Sequence, residues 1–210
     1  MTPFVIVGTG GMGRELLGWI AGCSDGTRAR FAVAAFISEG DDVGSIIQGI
    51  PVLHPDDWAG VSPRFVIAFA DPSAKKRLAI SLESRGWVAE IFIHDSAAIG
   101  PTAKIGAGTI ICPFCRISND CEIGDHVLVN GGSGVGHDAK VGSYSALLGS
   151  VSVNGNAHVG EGVTFGAGSM VYPGKRVGNG AKIGLGSIVL TNVREGATMF
   201  GNPAKRIDSE

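Results

Sequence analysis

Ile99-Gly-Pro-Thr-Ala-Lys-Ile105-Gly-Ala-Gly-Thr-Ile-Ile111 opens a stretch that keeps one rule as far as Val189. Every sixth residue is apolar: Ile99, Ile105, Ile111, Ile117, Ile123, Val129, Val135, Val141, Leu147, Val153, Val159, Phe165, Val171, Val177, Ile183 and Val189. Nine of these sixteen are followed by glycine, as at Gly100, Gly106, Gly136 and Gly142. Two positions before each, the residue is small or a valine, as at Ala97, Thr109, Cys115 and Ser133, and Lys175 alone breaks that second register. A fixed short period signals a solenoid. Side chains alternate across a strand, so six residues make one short strand and a corner, with the large and the small residue inside and glycine relieving the corner. Three faces close a triangular coil of 18 residues. Sixteen hexads then predict about five coils, stacked about 4.8 Å apart into a prism roughly 25 Å tall.

The pattern [Leu/Ile/Val]-Gly-x-x-small-x resembles the hexapeptide-repeat acyltransferases. That resemblance implies a left-handed coil, against the usual right-handed crossover.

With 210 residues, one or two domains are expected, and the solenoid leaves about ninety residues before it. The 34 glycines show no Gly-X-Y period, which excludes a collagen helix. Net charge is −2 with no basic run, so no nucleic-acid partner is expected. No apolar run reaches membrane-spanning length, and Met1-Thr-Pro-Phe-Val-Ile-Val7 carries no basic leader or cleavage site. The expectation is a cytoplasmic protein without membrane contact. Cys112, Cys115 and Cys121 suggest zinc by type, but Cys115 and Cys121 occupy the inward small-residue register. They read as core, and no metal is expected.

Before the solenoid, Phe4-Val-Ile-Val7 reads as a buried strand. Gly8-Thr-Gly-Gly-Met-Gly13 follows, then a helical pattern from Arg14 to Ala21. Gly8, Gly10 and Gly13 match G-x-G-x-x-G between a strand and a helix. Backbone there can approach a diphosphate at the helix N-terminus. A second strand, 31–37, ends at Ser38-Glu39, where the acid could reach a ribose hydroxyl. A third, 65–69, leads through Ala70-Asp71-Pro72 into a helix over 73–84. A strand over 90–93 joins the solenoid. The expected fold class is therefore an α/β Rossmann-like domain (1–93), then an all-β left-handed parallel β-helix (94–195) and a tail (196–210). The first domain holds one mononucleotide half.

Together the two parts resemble the nucleotide-sugar acetyltransferases of bacterial surface sugars. The closest group acetylates an amine on a UDP- or GDP-linked 4-amino-4,6-dideoxy sugar, and a sister group comprises sialic acid O-acetyltransferases. The resemblance implies that the first domain holds the nucleotide sugar, that acetyl-CoA is co-substrate, and that it lies between two prisms of a homotrimer. The segment Asn130-Gly-Gly-Ser-Gly-Val-Gly-His-Asp-Ala-Lys-Val-Gly142 resembles the family's N-x(6)-H-[DE]-x-x-[LIV]-G. By that resemblance His137 is the general base, Asp138 supports it and Asn130 sits near the sugar. Transferred acetyl-CoA contacts are Ala146, Ala167 and Leu185. Transferred substrate contacts are Gly8, Gly10, Gly11, Met12, Ser38, Glu39 and Ala70. The tail Gly201-Asn-Pro-Ala-Lys-Arg-Ile207 resembles the family's G-x-P-A-[KR] segment beside the coenzyme A arm.

Phase supports His137 independently. His126 lies eleven positions back and His158 twenty-one ahead, so neither stacks on it in an 18-residue coil and the three cannot share a tetrahedral metal within one prism, which leaves only a metal bridging subunits. One coil above His137 is Gly155, whose backbone would pass about 4.8 Å away, a spacing that suits an oxyanion donor beside a base. The expected activity is direct attack of a sugar amine on the acetyl-CoA thioester. An O-acetyltransferase on a sialic-type sugar is the alternative, and a silent nucleotide-sugar-binding scaffold is the alternative from another class. The chain departs from the family at Met12 and Ala146, where histidines are usual, at Ala70 for a glycine, and at Ser38-Glu39 for an acidic pair.

Overall fold

A computed structural model describes residues 2–207. The N-terminal part builds a six-stranded sheet in the order β3-β4-β2-β1-β5-β6. In chain order its elements are β1 (Phe4–Val7), α1 (Gly11–Gly22), α2 (Asp25–Arg30), β2 (Val33–Ile37), β3 (Ile46–Ile47), β4 (Ile50–Leu53), β5 (Arg64–Ile67), α3 (Pro72–Ser84) and β6 (Val88–Ala89). The pairings are parallel except β3–β4. Helix α1 starts where Gly8 turns the chain, and buries Gly13, Leu16 and Ile20 on one face. Asp71 caps α3 by accepting from Ala74 N at 2.7 Å, and Pro72 fills its first turn, where no N–H is needed.

From Phe92–Ile93 to Thr198–Phe200 the chain forms eighteen two- or three-residue strands among the described residues, which wind into three parallel sheets. Each rung pairs with the rung 18 residues on, as Gly134–Val135 pairs with Ser152–Val153. The first sheet carries Phe92, Ile110, Leu128 and Ala146 outward, the second Arg116, Gly134 and Ser152, the third Glu122, Lys140 and His158. Near the end the repeat shortens. Val177 bridges Val193 (193 − 177 = 16) and Ile183 pairs with Met199 (199 − 183 = 16). Thr198–Phe200 then folds back antiparallel on Lys205–Ile207.

The glycines after each aliphatic act differently from the expectation. They are absent from the residues with positive φ, which fall two positions later at Asp120, Asp138, Tyr144, Asn156 and Gly174. A methyl group at Gly136 would instead lie 2.5 Å from Gly155 N. Those glycines let one coil lie against the next. Buried hydroxyls in the small-residue register bridge coils as well: Ser145 Oγ accepts from Val163 N at 3.0 Å and donates to Gly160 O at 3.1 Å.

Two expectations need correction. The solenoid makes just over six coils, because it begins one rung before Ile99 and continues past Val189 through the shortened turn. The first ninety residues do not form a separate Rossmann-like α/β domain. The outer face of the first sheet is apolar, with Phe92, Ile110, Leu128 and Ala146 at most 2% exposed. It demands cover, and Phe4, Leu16, Ile20 and Phe31 supply it within one continuous core reaching Met199. The β-solenoid dominates the chain, and the N-terminal sheet with its three α-helices is packed onto it. Among the described residues no helix is long and apolar enough to cross a membrane.

Candidate active site

His137 stands at the corner joining the second sheet (Gly134–Val135) to the third (Lys140–Val141). Its Nδ1 is 2.8 Å from Asp138 Oδ2, and both side chains are more than half exposed. Asp138 takes the left-handed corner conformation, φ 58°, a region that short polar residues tolerate better than most. With Nδ1 engaged by the carboxylate, Nε2 is the atom left to exchange a proton. It points at Gly155, where a methyl group would lie only 2.6 Å from Nε2.

The Gly155 N–H is uncapped for a reason visible along the prism edge. On another edge a side chain one coil on closes three of the corner N–H groups: Asp125 accepts from Ala107 N at 2.9 Å, Ser143 from Asp125 N at 3.0 Å and Asn179 from Glu161 N at 2.9 Å. One coil on from Gly155 stands Pro173, which offers no side-chain acceptor. Among the described residues the Gly155 N–H has no acceptor. A free donor therefore lies beside a free imidazole nitrogen, next to a small depression of about 150 Å³ lined by Arg116, Ser118, Gly136 and Asn154.

The glycine loop lies elsewhere. Gly8 has φ 105°, and Gly13 packs against the Gly8 carbonyl so closely that a side chain there would displace it. Gly10 and Gly11 have open space around them, and Met12 is half-buried at the start of α1. Ser38 donates to Asp42 Oδ1 at 2.5 Å and accepts from Gly40 N at 3.1 Å. The Ser38 hydroxyl, and after it that of Thr9, holds the Asp42 carboxyl below its usual range. Gly8, Ser38 and Glu39 share a cavity of about 230 Å³ with Phe69, Arg77 and Leu78. Ala70, half-buried, follows Phe69.

These two groups do not meet within one chain. The N-terminal part covers the first sheet and the corner between third and first, where His126 stacks between Phe65 (5.9 Å) and Tyr144 (5.6 Å). His137 occupies the opposite edge of the triangle. Asn130 lies on the remaining corner, its Oδ1 accepting from Gly131 N at 2.7 Å. Ala167 and Leu185 are stacked on that same corner, one coil apart, with Leu185 67% exposed. Ala146 is 0% exposed, on the sheet face that the N-terminal part covers.

The seam between the two parts contains residues the sequence reading missed. Lys75, 1% exposed, points from α3 into the solenoid and donates to Ser145 O at 3.2 Å and Tyr144 O at 3.4 Å. Burial pushes its pKa down to about 7, against a smaller opposing pull from Asp71. His126 Nε2 is 2.9 Å from Glu83 Oε1, while its buried Nδ1 has no partner among the described residues. Lys75 sits on the apolar spacing of α3 with Leu78, Ala79 and Leu82, the one signal that could have marked it. Among the described residues no cluster of three or more His, Cys, Asp or Glu could hold a metal ion.

No family model matches the chain. A curated relative, the acyl-[acyl-carrier-protein]–UDP-N-acetylglucosamine O-acyltransferase of Brucella ovis, is 38% identical over 50 residues, 21% of this chain. The match spans only 18% of that relative's length. Similarity to solved structures runs the whole length. PerB from Caulobacter crescentus, in complex with CoA and GDP-perosamine, has a TM-score of 0.88 and 27% identity, with 99% of this chain and 98% of that one covered. A histidine-to-alanine mutant of GDP-perosamine N-acetyl transferase from the same bacterium, again with CoA and GDP-perosamine, has a TM-score of 0.89 and 25% identity, covering 100% of this chain and 98% of that one. Over its full length the chain is similar to β-helical acetyltransferases that take nucleotide sugars.

Proposed function

We propose that the protein transfers the acetyl group of acetyl-CoA to the amine of a nucleotide-linked 4-amino-4,6-dideoxy sugar. The observation that carries this reading is the His137–Asp138 pair set against the uncapped Gly155 N–H. The neighbours crystallised with CoA and an amino-sugar nucleotide support the choice of substrates.

The sugar amine attacks the thioester carbonyl. Nε2 of His137 takes the proton that the nitrogen loses as the C–N bond forms. Asp138 fixes the ring and stabilises its cationic form. The Gly155 N–H receives the carbonyl oxygen as it becomes an oxyanion. When the C–S bond breaks, the electron pair leaves on sulfur, and the imidazolium returns its proton to the thiolate. The products are an acetamido sugar and free CoA. Alignment of two bound substrates supplies much of the acceleration.

Because the glycine loop and His137 lie on opposite sides of one prism, the reading requires a second copy of the chain. Its His137 would face the nucleotide sugar held by Gly8, Gly10, Gly11 and Met12 of the first. A homotrimer, with Ala167 and Leu185 along the coenzyme A cleft, satisfies this.

CoA release, measured with acetyl-CoA and a panel of UDP-, GDP- and dTDP-linked 4-amino sugars, tests the proposal. Turnover is expected on an amino sugar, and His137→Ala should lower kcat by about 10²- to 10⁴-fold. Undiminished turnover in that variant would remove His137 from its role. Turnover confined to hydroxyl acceptors would replace the amine.

A further inference from the structure

We infer that the cavity beside Glu39 and Arg77 selects a guanine nucleotide. The inference rests on the proposed acceptor being nucleotide-linked, and it names the base.

The cavity opens where β1 and β2 end and α3 passes over them. Its volume is about 230 Å³. This is below the roughly 300–1,000 Å³ of pockets that enclose a whole drug-sized ligand, so it suits one flat ring system. Ile37, Pro55, Phe69 and Leu78 form apolar walls. The Phe69 ring lies against Gly8, where a methyl group would be 3.0 Å from Cδ1. A side chain at position 8 would therefore crowd the space in which a base can lie on that ring.

Three polar side chains line this otherwise apolar space, and the Ser38 hydroxyl is already engaged by Asp42 and Gly40 N, which leaves Glu39 and Arg77. Arg77 Nη2 is 2.9 Å from Glu39 Oε2, with both side chains partly exposed to solvent. The other Glu39 oxygen and the other Arg77 N–H groups have no partner among the described residues. An ionised carboxylate only accepts hydrogen bonds and a guanidinium only donates them. Side by side, they present donors next to acceptors.

Guanine carries the matching edge. Its O6 accepts, and its N1–H and N2–H2 donate in the same direction. Arg77 would serve O6, and Glu39 would take both donors. Other bases fail at the carboxylate. Uracil and thymine offer one N–H flanked by two carbonyl oxygens that repel it. Adenine turns an unprotonated ring nitrogen towards it. Mismatched bases would leave the Glu39 carboxylate facing a lone pair instead of a donor, and lose the hydrogen bonds that guanine makes.

Calorimetric titration of the full chain with GDP, UDP, dTDP and ADP tests the inference. GDP should bind tighter than the others by on the order of 10- to 100-fold, the worth of one or two charge-assisted hydrogen bonds. Glu39→Gln should lose most of that preference, because its amide N–H2 would face the base's donors. Circular dichroism and thermal melting establish that this surface variant is folded. Arg77→Met, which removes the O6 partner, should weaken GDP more than UDP.

Equal affinity for GDP and UDP would overturn the inference. So would a GDP preference that survives both substitutions, or no nucleotide binding at all. Acetyl transfer to UDP- and GDP-linked sugars with equal efficiency would overturn it while leaving the acetyltransferase reading intact. Glu39-dependent GDP binding without acetyl transfer to any GDP-linked amino sugar would do the reverse.

Discussion

Replacing Gly155 with alanine tests the proposed centre without touching an ionisable group. The new methyl group would lie 2.6 Å from His137 Nε2 and 2.7 Å from Cε1. Ordinary contact begins near 3.4 Å, so the imidazole must retreat by about 0.8 Å (3.4 − 2.6). The ring can do so, because its side chain is 67% exposed. Gly155 is not among the positive-φ residues, so alanine brings no backbone strain. A misplacement near 1 Å costs about 100-fold in an aligned reaction. The expected loss in kcat is thus about 10- to 100-fold, or roughly 1.4–2.7 kcal/mol of barrier. KM for both substrates should be nearly constant. The assay is steady-state CoA release on the amino sugar that the wild type accepts, with thermal melting alongside. A kcat within twofold of wild type would refute the proximity of His137 and Gly155 as the basis of catalysis. A melting point lowered by more than about 5 °C would show a structural lesion instead.

Lys75 should make stability depend on pH. Its pKa falls from 10.5 to about 7 on folding, so between those values the unfolded chain holds a proton that the folded chain lacks. Stability then rises with pH across that window, by at most about 1.4 kcal/mol per unit, and urea unfolding of Lys75→Met should show the slope flattened. Gly136→Ala places a methyl group 2.5 Å from Gly155 N and should cost about 1–3 kcal/mol in denaturant unfolding. Gly10→Ala, with nothing within 4 Å, should stay within about 0.5 kcal/mol of wild type. Phe114 is 71% exposed at φ 62°. Phe114→Gly should therefore raise stability by about 0.5–1 kcal/mol, the left-handed strain relieved less the entropy that glycine adds to the unfolded chain.

The solenoid was legible because each rung buries one large side chain and tolerates nothing polar there. Its last turn was not, because Val193 and Met199 fall two residues out of step, and a strict period of six lands on Glu195. The strand–glycine–helix opening was also legible from Phe4–Val7 and Gly8 to Gly13. Its failure to stand apart was not, since outward residues such as Ile110 and Leu128 obey no rule that period six enforces. At the candidate site, stacking by 18 brought His137 and Gly155 together on paper, and the ladder pairing does so in space. The burial of Ala146 was not legible, because a spacing along the chain ignores which sheet face it lands on. The Glu39–Arg77 pair joins residues 38 positions apart (77 − 39) on different elements, which local pattern cannot reach.

The reversed strand Lys205–Ile207 bears on how such a molecule stays finite. A stack of parallel rungs is in principle a template without end, since each new turn exposes the same hydrogen-bonding groups as the last. By laying an antiparallel partner on Thr198–Phe200, the chain presents a direction of travel that no further turn of its own kind can match. Removal of 201–207 should therefore turn a discrete particle into a seed for end-to-end fibres, with chain length rather than concentration setting where growth normally stops.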